Sequence, residues 1–321
     1  MKNYRPIVIV AGEPNSVFFE IFFKVMKNNK FKSPIILIGS KNLLQKNIKF
    51  FKSKINVNEI EYSKEDLLKT NLTKINLINI EYDQKKIFEK ISTKSNRYIR
   101  DSFKIAIEIL NNGITNKFIN GPISKKYFLK RKYLGITEYL ANKVGSKEVA
   151  MIIYNKLLSV SPLTTHLPIK HITKKINKTN ILGKVRLINS FWEQRFKVKP
   201  RIAITGLNPH CESIDRYNED EKIIKPAVKI LQKNKINILG PYPADTLFLK
   251  DNRKNFDIII GMYHDQVLTP SKTLFEYDAI NITLGLPFIR VSPDHGPNEK
   301  MLGMNKSNSL SLQRSIQFLD Y

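Results

Sequence analysis

Short apolar runs alternate along the chain with longer stretches whose apolar residues recur every three or four positions. Runs at Ile7–Ala11, Ile35–Gly39, Phe118–Gly121, Val149–Ile153, Leu158–Thr164, Arg201–Thr205, Phe256–Met262 and Ala279–Thr283 are rich in β-branched residues. Turn-forming residues bound them, and the pattern predicts strands. Tyr98–Leu110 predicts an amphipathic helix, because Ile99, Phe103, Ala106, Ile107 and Leu110 fall on one face. Glu219–Lys233 predicts a second helical stretch, and Pro226 within it suits the first turn of a new helix. Strands alternating with helices are the signature of βαβ units and a mostly parallel sheet, so the fold class is α/β. Lys41–Lys94 is rich in lysine and asparagine, with too weak a periodicity to assign. No repeat or low-complexity linker marks a domain cut. Gly121-Pro122 and the stretch after Pro270 are the hinge candidates, and a chain that crosses there between two lobes would hold its site in the cleft.

Composition narrows the picture. The chain has 321 residues, with 42% hydrophobic and 10% aromatic content, which is enough for a buried core and unlike a disordered chain. No apolar stretch approaches the length of a membrane span. The basic start Met1–Pro6 leads only to Ile7–Ala11, too short for a signal peptide. A single cysteine, Cys211, excludes an internal disulfide and fits a reducing cytoplasm. The formal charge of +26 raises the question of nucleic acid. Lysine dominates over arginine, however, and the dense runs at Lys125–Lys132 and Lys174–Lys178 carry no repeated aromatic platform for bases. They read as a solvated basic surface that draws anionic small molecules, with nucleic acid disfavoured.

The candidate chemistry lies in histidines. Of five in the chain, three follow strand-like runs in turn settings: Thr-Thr-His166-Leu-Pro, Leu-Asn-Pro-His210 and Met-Tyr-His264-Asp-Gln. Imidazole is the commonest side-chain metal ligand, and three protein ligands with an open position suit a catalytic metal. The competing reading is three ordinary surface or capping histidines. Lys272, Asn281 and Arg290 together could bind an anion, combining a point charge, a neutral donor and a planar fork suited to phosphate or carboxylate. The chain has no G-x-G-x-x-G, no G-x-x-x-x-G-K-[ST], no G-x-S-x-G and no C-x-x-C. It therefore lacks the usual dinucleotide fingerprint, phosphate loop, hydrolase elbow and structural zinc motif.

Several segments, in order, carry a resemblance: Gly12-Glu-Pro14, Asn120-Gly-Pro-Ile-Ser-Lys125, Gly135-Ile-Thr137-Glu138, Thr165-His166-Leu-Pro, Gly206-Leu-Asn-Pro-His210, Gly240-Pro-Tyr-Pro-Ala-Asp245, Met262-Tyr-His264-Asp-Gln and Thr283 through Arg290 to Gly296. At this spacing the chain resembles the 4-hydroxythreonine-4-phosphate dehydrogenase family of pyridoxal phosphate synthesis from about residue 7 to its end.

The resemblance implies two α/β/α lobes around a cleft, as in isocitrate and isopropylmalate dehydrogenases, which hold NAD without a glycine fingerprint. It implies a homodimer with a shared active site. The lobes would be residues 1–125 with 270–321, and 126–269, the latter carrying the dimer interface. Family members oxidise C3 of 4-phosphooxy-L-threonine with NAD (or NADP) and then decarboxylate the product to 3-amino-2-oxopropyl phosphate. His166, His210 and His264 match the ligands of a divalent metal (Zn, Mg, Mn or Co) that serves both steps. Thr137, Lys272, Asn281 and Arg290 match substrate positions, with Lys272 also among the catalytic candidates. Asp245 reads equally as a polar contact to substrate or to a ligand histidine, or as a helix cap, His171 as a surface residue, and His295 as shaping the cofactor side.

The chain departs from the pattern in four places. Ile136 replaces a family histidine that helps bind substrate, and isoleucine can neither donate a hydrogen bond nor carry charge. The usually glycine-rich loop after His210 reads Cys211-Glu-Ser-Ile-Asp-Arg-Tyr-Asn, the turn after Gly12 carries large side chains, and Pro297-Asn-Glu-Lys-Met follows Gly296. These changes leave two alternatives: a sister oxidative decarboxylase of another phosphorylated, threonate-like acid, or a non-catalytic relative that binds metal or nucleic acid.

Overall fold

The computed structural model describes residues 4–129, 132–214 and 217–321. In chain order the strands are β1 (Ile7–Val10), β2 (Ile35–Gly39), β3 (Val57–Glu59), β4 (Ile75–Asn79), β5 (Lys117–Asn120), β6 (Ala150–Tyr154), β7 (Ser159–Thr164), β8 (Ile202–Thr205), β9 (Ile238–Tyr242), β10 (Ile258–Tyr263), β11 (Ile280–Leu284) and β12 (Ile289–Pro293). The α-helices are α1 (Phe18–Asn28), α2 (Lys41–Phe50), α3 (Lys64–Leu68), α4 (Asn96–Asn111), α5 (Ile136–Val144), α6 (Lys178–Phe196), α7 (Lys225–Lys233), α8 (Ala244–Leu247), α9 (Lys250–Arg253), α10 (His264–Phe275) and α11 (Leu310–Leu319). The mixed α/β class expected from the alternation is the one observed. Among the described residues, no helix is long and apolar enough to cross a membrane.

The chain forms two compact units, Met1–Tyr139 with Leu286–Tyr321, and Leu140–Gly285. The crossings between these units lie at 139/140 and 285/286; the resemblance implies lobes divided at 125/126 and 269/270. The stretch after Pro270, a hinge candidate in the sequence, begins inside α10.

In the first unit the strand order is β3-β4-β2-β1-β5-β12, and all pairs are parallel. β1 reads Ile-Val-Ile-Val with every residue buried, as a central parallel strand covered on both faces should. α4 buries Ile99, Phe103, Ala106 and Leu110 as its spacing predicts, together with Ile109, while Ile107 is only half-buried. The loops after β1 and β5 touch: Glu13 N donates to Pro122 O at 2.8 Å. A Cβ on Gly12, whose φ is +82°, would lie 2.5 Å from that same oxygen, so only glycine fits.

In the second unit the order is β11-β6-β7-β10-β8-β9. β7, β10, β8 and β9 run parallel, while β6 is antiparallel to both β7 and β11. α7 begins at Lys225 with Pro226 in its first turn, where a missing N–H costs nothing. Asn177 caps α6 by accepting from Asn180 N at 2.9 Å. Ile258, Ile259 and Ile260 of β10 are fully buried, each side chain contributing about 1.5–3 kcal/mol relative to exposure. This rigid centre delivers the histidine-bearing turns.

Candidate active site

The three histidines occupy the carboxyl ends of three adjacent parallel strands of the second unit. β10 pairs with β7 through Tyr263 and Thr164, and with β8 through Ile260 and Ile204. His166 follows the end of β7, His264 opens α10 directly after β10, and His210 lies in the short turn Pro209–Cys211 beyond β8. Ligands in parallel α/β sheets bind at such strand ends. The rings of His166 and His264 stand together, with centroids 5.7 Å apart. His264 Nδ1 and Asp265 Oδ1 are 2.6 Å apart, a contact that orients the ring through Nδ1.

His210 is not part of that pair. Among the described residues, no group of three or more His, Cys, Asp or Glu converges within one chain to hold a metal. Its loop is unusual. His210 and Cys211 both adopt left-handed backbone, with φ of 55° and 60°, where the family pattern would offer glycine next to histidine. Each such residue costs about 1–3 kcal/mol and persists only where its surroundings hold it.

Asp220 provides the hold. Its side chain is fully buried and accepts from Leu207 N at 2.7 Å, Asn208 N at 3.1 Å and Asn208 Nδ2 at 2.9 Å. A Cβ on Gly206 would lie 2.7 Å from both Asp220 Oδ1 and Cys211 Sγ. The sequence gives Asp220 no visible role, because an aspartate opening a helix looks like an ordinary cap. Cys211 is buried, its thiol pushed up by burial and by Asp220 and Asp245.

Asp245 itself is exposed in the first turn of α8, where Oδ1 accepts from Thr246 N at 2.9 Å, a local turn bond. Lys272 lies in the last turn of α10, half-buried. Asn281, on β11, donates to Met151 Sδ at 3.3 Å, while its buried Oδ1 has no hydrogen-bond partner among the described residues. Sulfur is a weak acceptor, so most of this amide's bonding capacity is unspent.

In the first unit, Arg290 is 4% exposed on β12. Its Nε donates to Asn120 Oδ1 at 2.8 Å and its Nη1 to Thr137 Oγ1 at 3.3 Å. Burial lowers its pKa to about 10, against the opposing charge of Glu138. The guanidinium therefore stays cationic at neutral pH. Two predicted substrate residues, Thr137 and Arg290, are thus in contact, whereas Lys272 and Asn281 belong to the second unit. Asn120 orients the guanidinium; it stands inside a family-like motif, but nothing in the sequence marks that role. Ile136, beside Thr137, is buried at 9% exposure. Burial raises the Glu13 carboxyl, with Glu299 acting in the same direction, against bonds from Ser95 Oγ at 2.9 Å and Asn15 N at 3.3 Å. His171 is exposed, as expected, and His295 Nδ1 lies 3.0 Å from Gly296 O.

The profile of the family described as "Pyridoxal phosphate biosynthetic protein PdxA" matches residues 30–319. The 4-hydroxythreonine-4-phosphate dehydrogenase of Sulfurihydrogenibium sp. is 37% identical over 97% of this chain and 96% of its own. The D-threonate 4-phosphate dehydrogenase of Salmonella typhimurium is 28% identical over 98% and 97%. The crystal structure of 4-hydroxythreonine-4-phosphate dehydrogenase from Klebsiella pneumoniae superposes with a TM-score of 0.83 at 25% identity, over 98% of each chain. A β-decarboxylating dehydrogenase from Thermococcus kodakarensis shares the fold, with a TM-score of 0.51 at 11% identity over 98% of this chain and 81% of that one. Sequence and fold agree on one conclusion: the chain belongs to the PdxA family of pyridoxal phosphate biosynthetic proteins.

Proposed function

We propose that the protein is a cytoplasmic homodimer that oxidises the C3 hydroxyl of 4-phosphooxy-L-threonine, with NAD (or NADP) as hydride acceptor. The 2-amino-3-oxo acid then loses CO₂ to give 3-amino-2-oxopropyl phosphate for pyridoxal phosphate biosynthesis. The observation that supports the reading is the placement of His166, His264 and His210 after the ends of three adjacent parallel strands, within a family whose relatives bear the dehydrogenase name.

The donor set fits a divalent cation, Zn, Mg, Mn or Co. Two imidazoles stand together, one is oriented by a carboxylate, and a third lies at the neighbouring strand end. Such a cation supplies Lewis-acid polarisation at the C3 oxygen. Among the described residues a single chain does not bring the three donors together; in the homodimer proposed here a second copy supplies the third ligand. Arg290, cationic and held by Asn120 and Thr137, binds an anionic group of the substrate. Lys272, Asn281 and, more weakly, Asp245 are assigned to the substrate on the family pattern.

The test is NADH formation from 4-phosphooxy-L-threonine, with and without added divalent ion. Metal-dependent turnover is expected. A folded protein that binds the ion but leaves NAD unreduced would sink this substrate assignment.

One observation favours a second substrate. Ile136 puts a buried apolar side chain where the family pattern has a hydrogen-bonding histidine, and Salmonella relatives carry the D-threonate 4-phosphate name. Comparing kcat/KM for the two acids in wild type and Ile136→His decides between them. A gain for phosphooxy-threonine in the variant supports the first substrate, and faster wild-type turnover of threonate 4-phosphate supports the second.

A further inference from the structure

We infer that Gln266 is a positioning residue that fixes the His210 loop against the His264 helix; this rests on the assignment of those histidines to a divalent cation. The ladder between β8 and β10 is short. Its register runs Ile258–Ile202, Ile259–Ala203 and Ile260–Ile204, then stops. Beyond Ile260, β10 stays with β7 as far as Tyr263 and Thr164. β8 meanwhile follows β9, with Thr205 opposite Tyr242 and Gly206 N donating to Tyr242 O at 2.9 Å. The two strands thus separate before they reach the turns that carry His210 and His264.

Gln266 bridges that gap. Its Oε1 accepts from Met262 N at 2.7 Å and from Thr205 Oγ1 at 2.8 Å, while its Nε2 donates to Gly206 O at 2.8 Å. Met262 N can only donate and Gly206 O can only accept, so these two backbone groups dictate the amide orientation. The side chain acts as an inserted peptide unit, continuing the β8–β10 ladder where the backbone no longer can. The bridge is packed as well as bonded. A Cβ on Gly261 would lie 3.1 Å from Gln266 Oε1 and 2.4 Å from Val267 Cγ1, so glycine at 261 admits the amide. A second hydroxyl ties the remaining histidine strand in: Thr164 Oγ1 donates to Met262 O at 2.8 Å. Met262 is therefore held on one side by Gln266 and on the other by Thr164, two residues before His264. Gly206, the other end of the bridge, begins the loop to His210.

Gln266 acts through the backbone it fixes. Outer residues that orient metal ligands change metal affinity or activity by about 10–100-fold when altered. Three variants grade the effect. Gln266→Met removes all three bonds at similar volume. Gln266→Glu keeps the acceptor and sets a carboxylate oxygen against Gly206 O. Thr205→Val removes a single bond.

The experiment measures Zn²⁺ affinity of the folded proteins by competition with a chromogenic chelator, alongside thermal unfolding of the metal-free forms and a kcat against KM comparison. Gln266→Met and Gln266→Glu are expected to bind Zn²⁺ about tenfold or more weakly and to lose kcat with little change in KM. Thr205→Val shifts affinity in the same direction by less. The Thr205→Val/Gln266→Met pair loses less than the sum of the two, because they share one bond. Folded variants with a lowered melting temperature but wild-type Zn²⁺ affinity would overturn the inference and leave Gln266 a purely structural residue. Should Gln266→Met fail to fold, Gln266→Glu and Thr205→Val decide by the same measure. A wild-type protein that takes up no divalent ion overturns the metal assignment itself, and this inference with it.

Discussion

Replacing Asp220 tests how the strained His210 loop is held. The carboxylate is fully buried and accepts three hydrogen bonds, two from Leu207 N and Asn208 N and one from Asn208 Nδ2. Oδ1 serves Leu207, and Oδ2 serves both groups of Asn208. Asparagine at 220 retains one acceptor oxygen, so either the Leu207 or the Asn208 side of the network faces an NH₂ group instead. Losing a bond to a charged group costs about 1.5–3 kcal/mol, and leaving its donor buried without a partner adds to that. Asp220→Asn is expected to lower unfolding stability by about 2–4 kcal/mol. Asp220→Ala, which also opens a cavity, is expected to lose more.

The loss should be partly local. His210 and Cys211 hold left-handed backbone at about 1–3 kcal/mol each, so a loop freed from Asp220 relaxes in place of waiting for global unfolding. Urea denaturation measures the global term, and amide exchange at Leu207 and Asn208 measures the local one. An Asp220→Asn protein within about 0.5 kcal/mol of wild type, with both amides as protected as before, would refute the reasoning.

His210→Ala is expected to abolish metal-dependent turnover and weaken divalent-ion retention; an active, ion-binding variant rules out the triad as assigned. Arg290→Lys keeps the charge but cannot reproduce the fork to Asn120 and Thr137, so kcat/KM for the phosphorylated substrate should fall about 10–100-fold, mainly through KM. Unchanged kinetics would remove Arg290 from the substrate. Glu13 has its pKa raised above 4.5 by burial, so the folded state binds its proton more tightly than the unfolded chain does. Stability from this group is present below 4.5 and lost as pH rises through the raised value. Glu13→Gln cannot ionise, so its stability should fall less between mildly acidic and neutral pH. Parallel wild-type and variant profiles in urea denaturation would contradict this.

The sequence by itself determined the α/β class, most of the central strands and the three histidine turns. Buried parallel strands must be continuous apolar runs, and strand ends must be turns, so both signals are local. β4 is hard to see in the sequence because its run is broken by Asn76, which is completely buried; its amide donates to Ile35 O at 3.1 Å and to Asn71 O at 2.8 Å. β9 and β12 are masked by Pro241 and Pro293, which speak against a strand unless it lies at an edge or an end.

Only the tertiary structure could decide which strands are neighbours, since β7, β10 and β8 are far apart in sequence yet adjacent in the sheet. It also decided which polar residues hold the candidate site. Asp220, Gln266 and Asn120 look like ordinary polar residues along the chain. Removal from bulk water forces each to satisfy specific backbone or guanidinium partners, and those partners exist only after the strands have assembled.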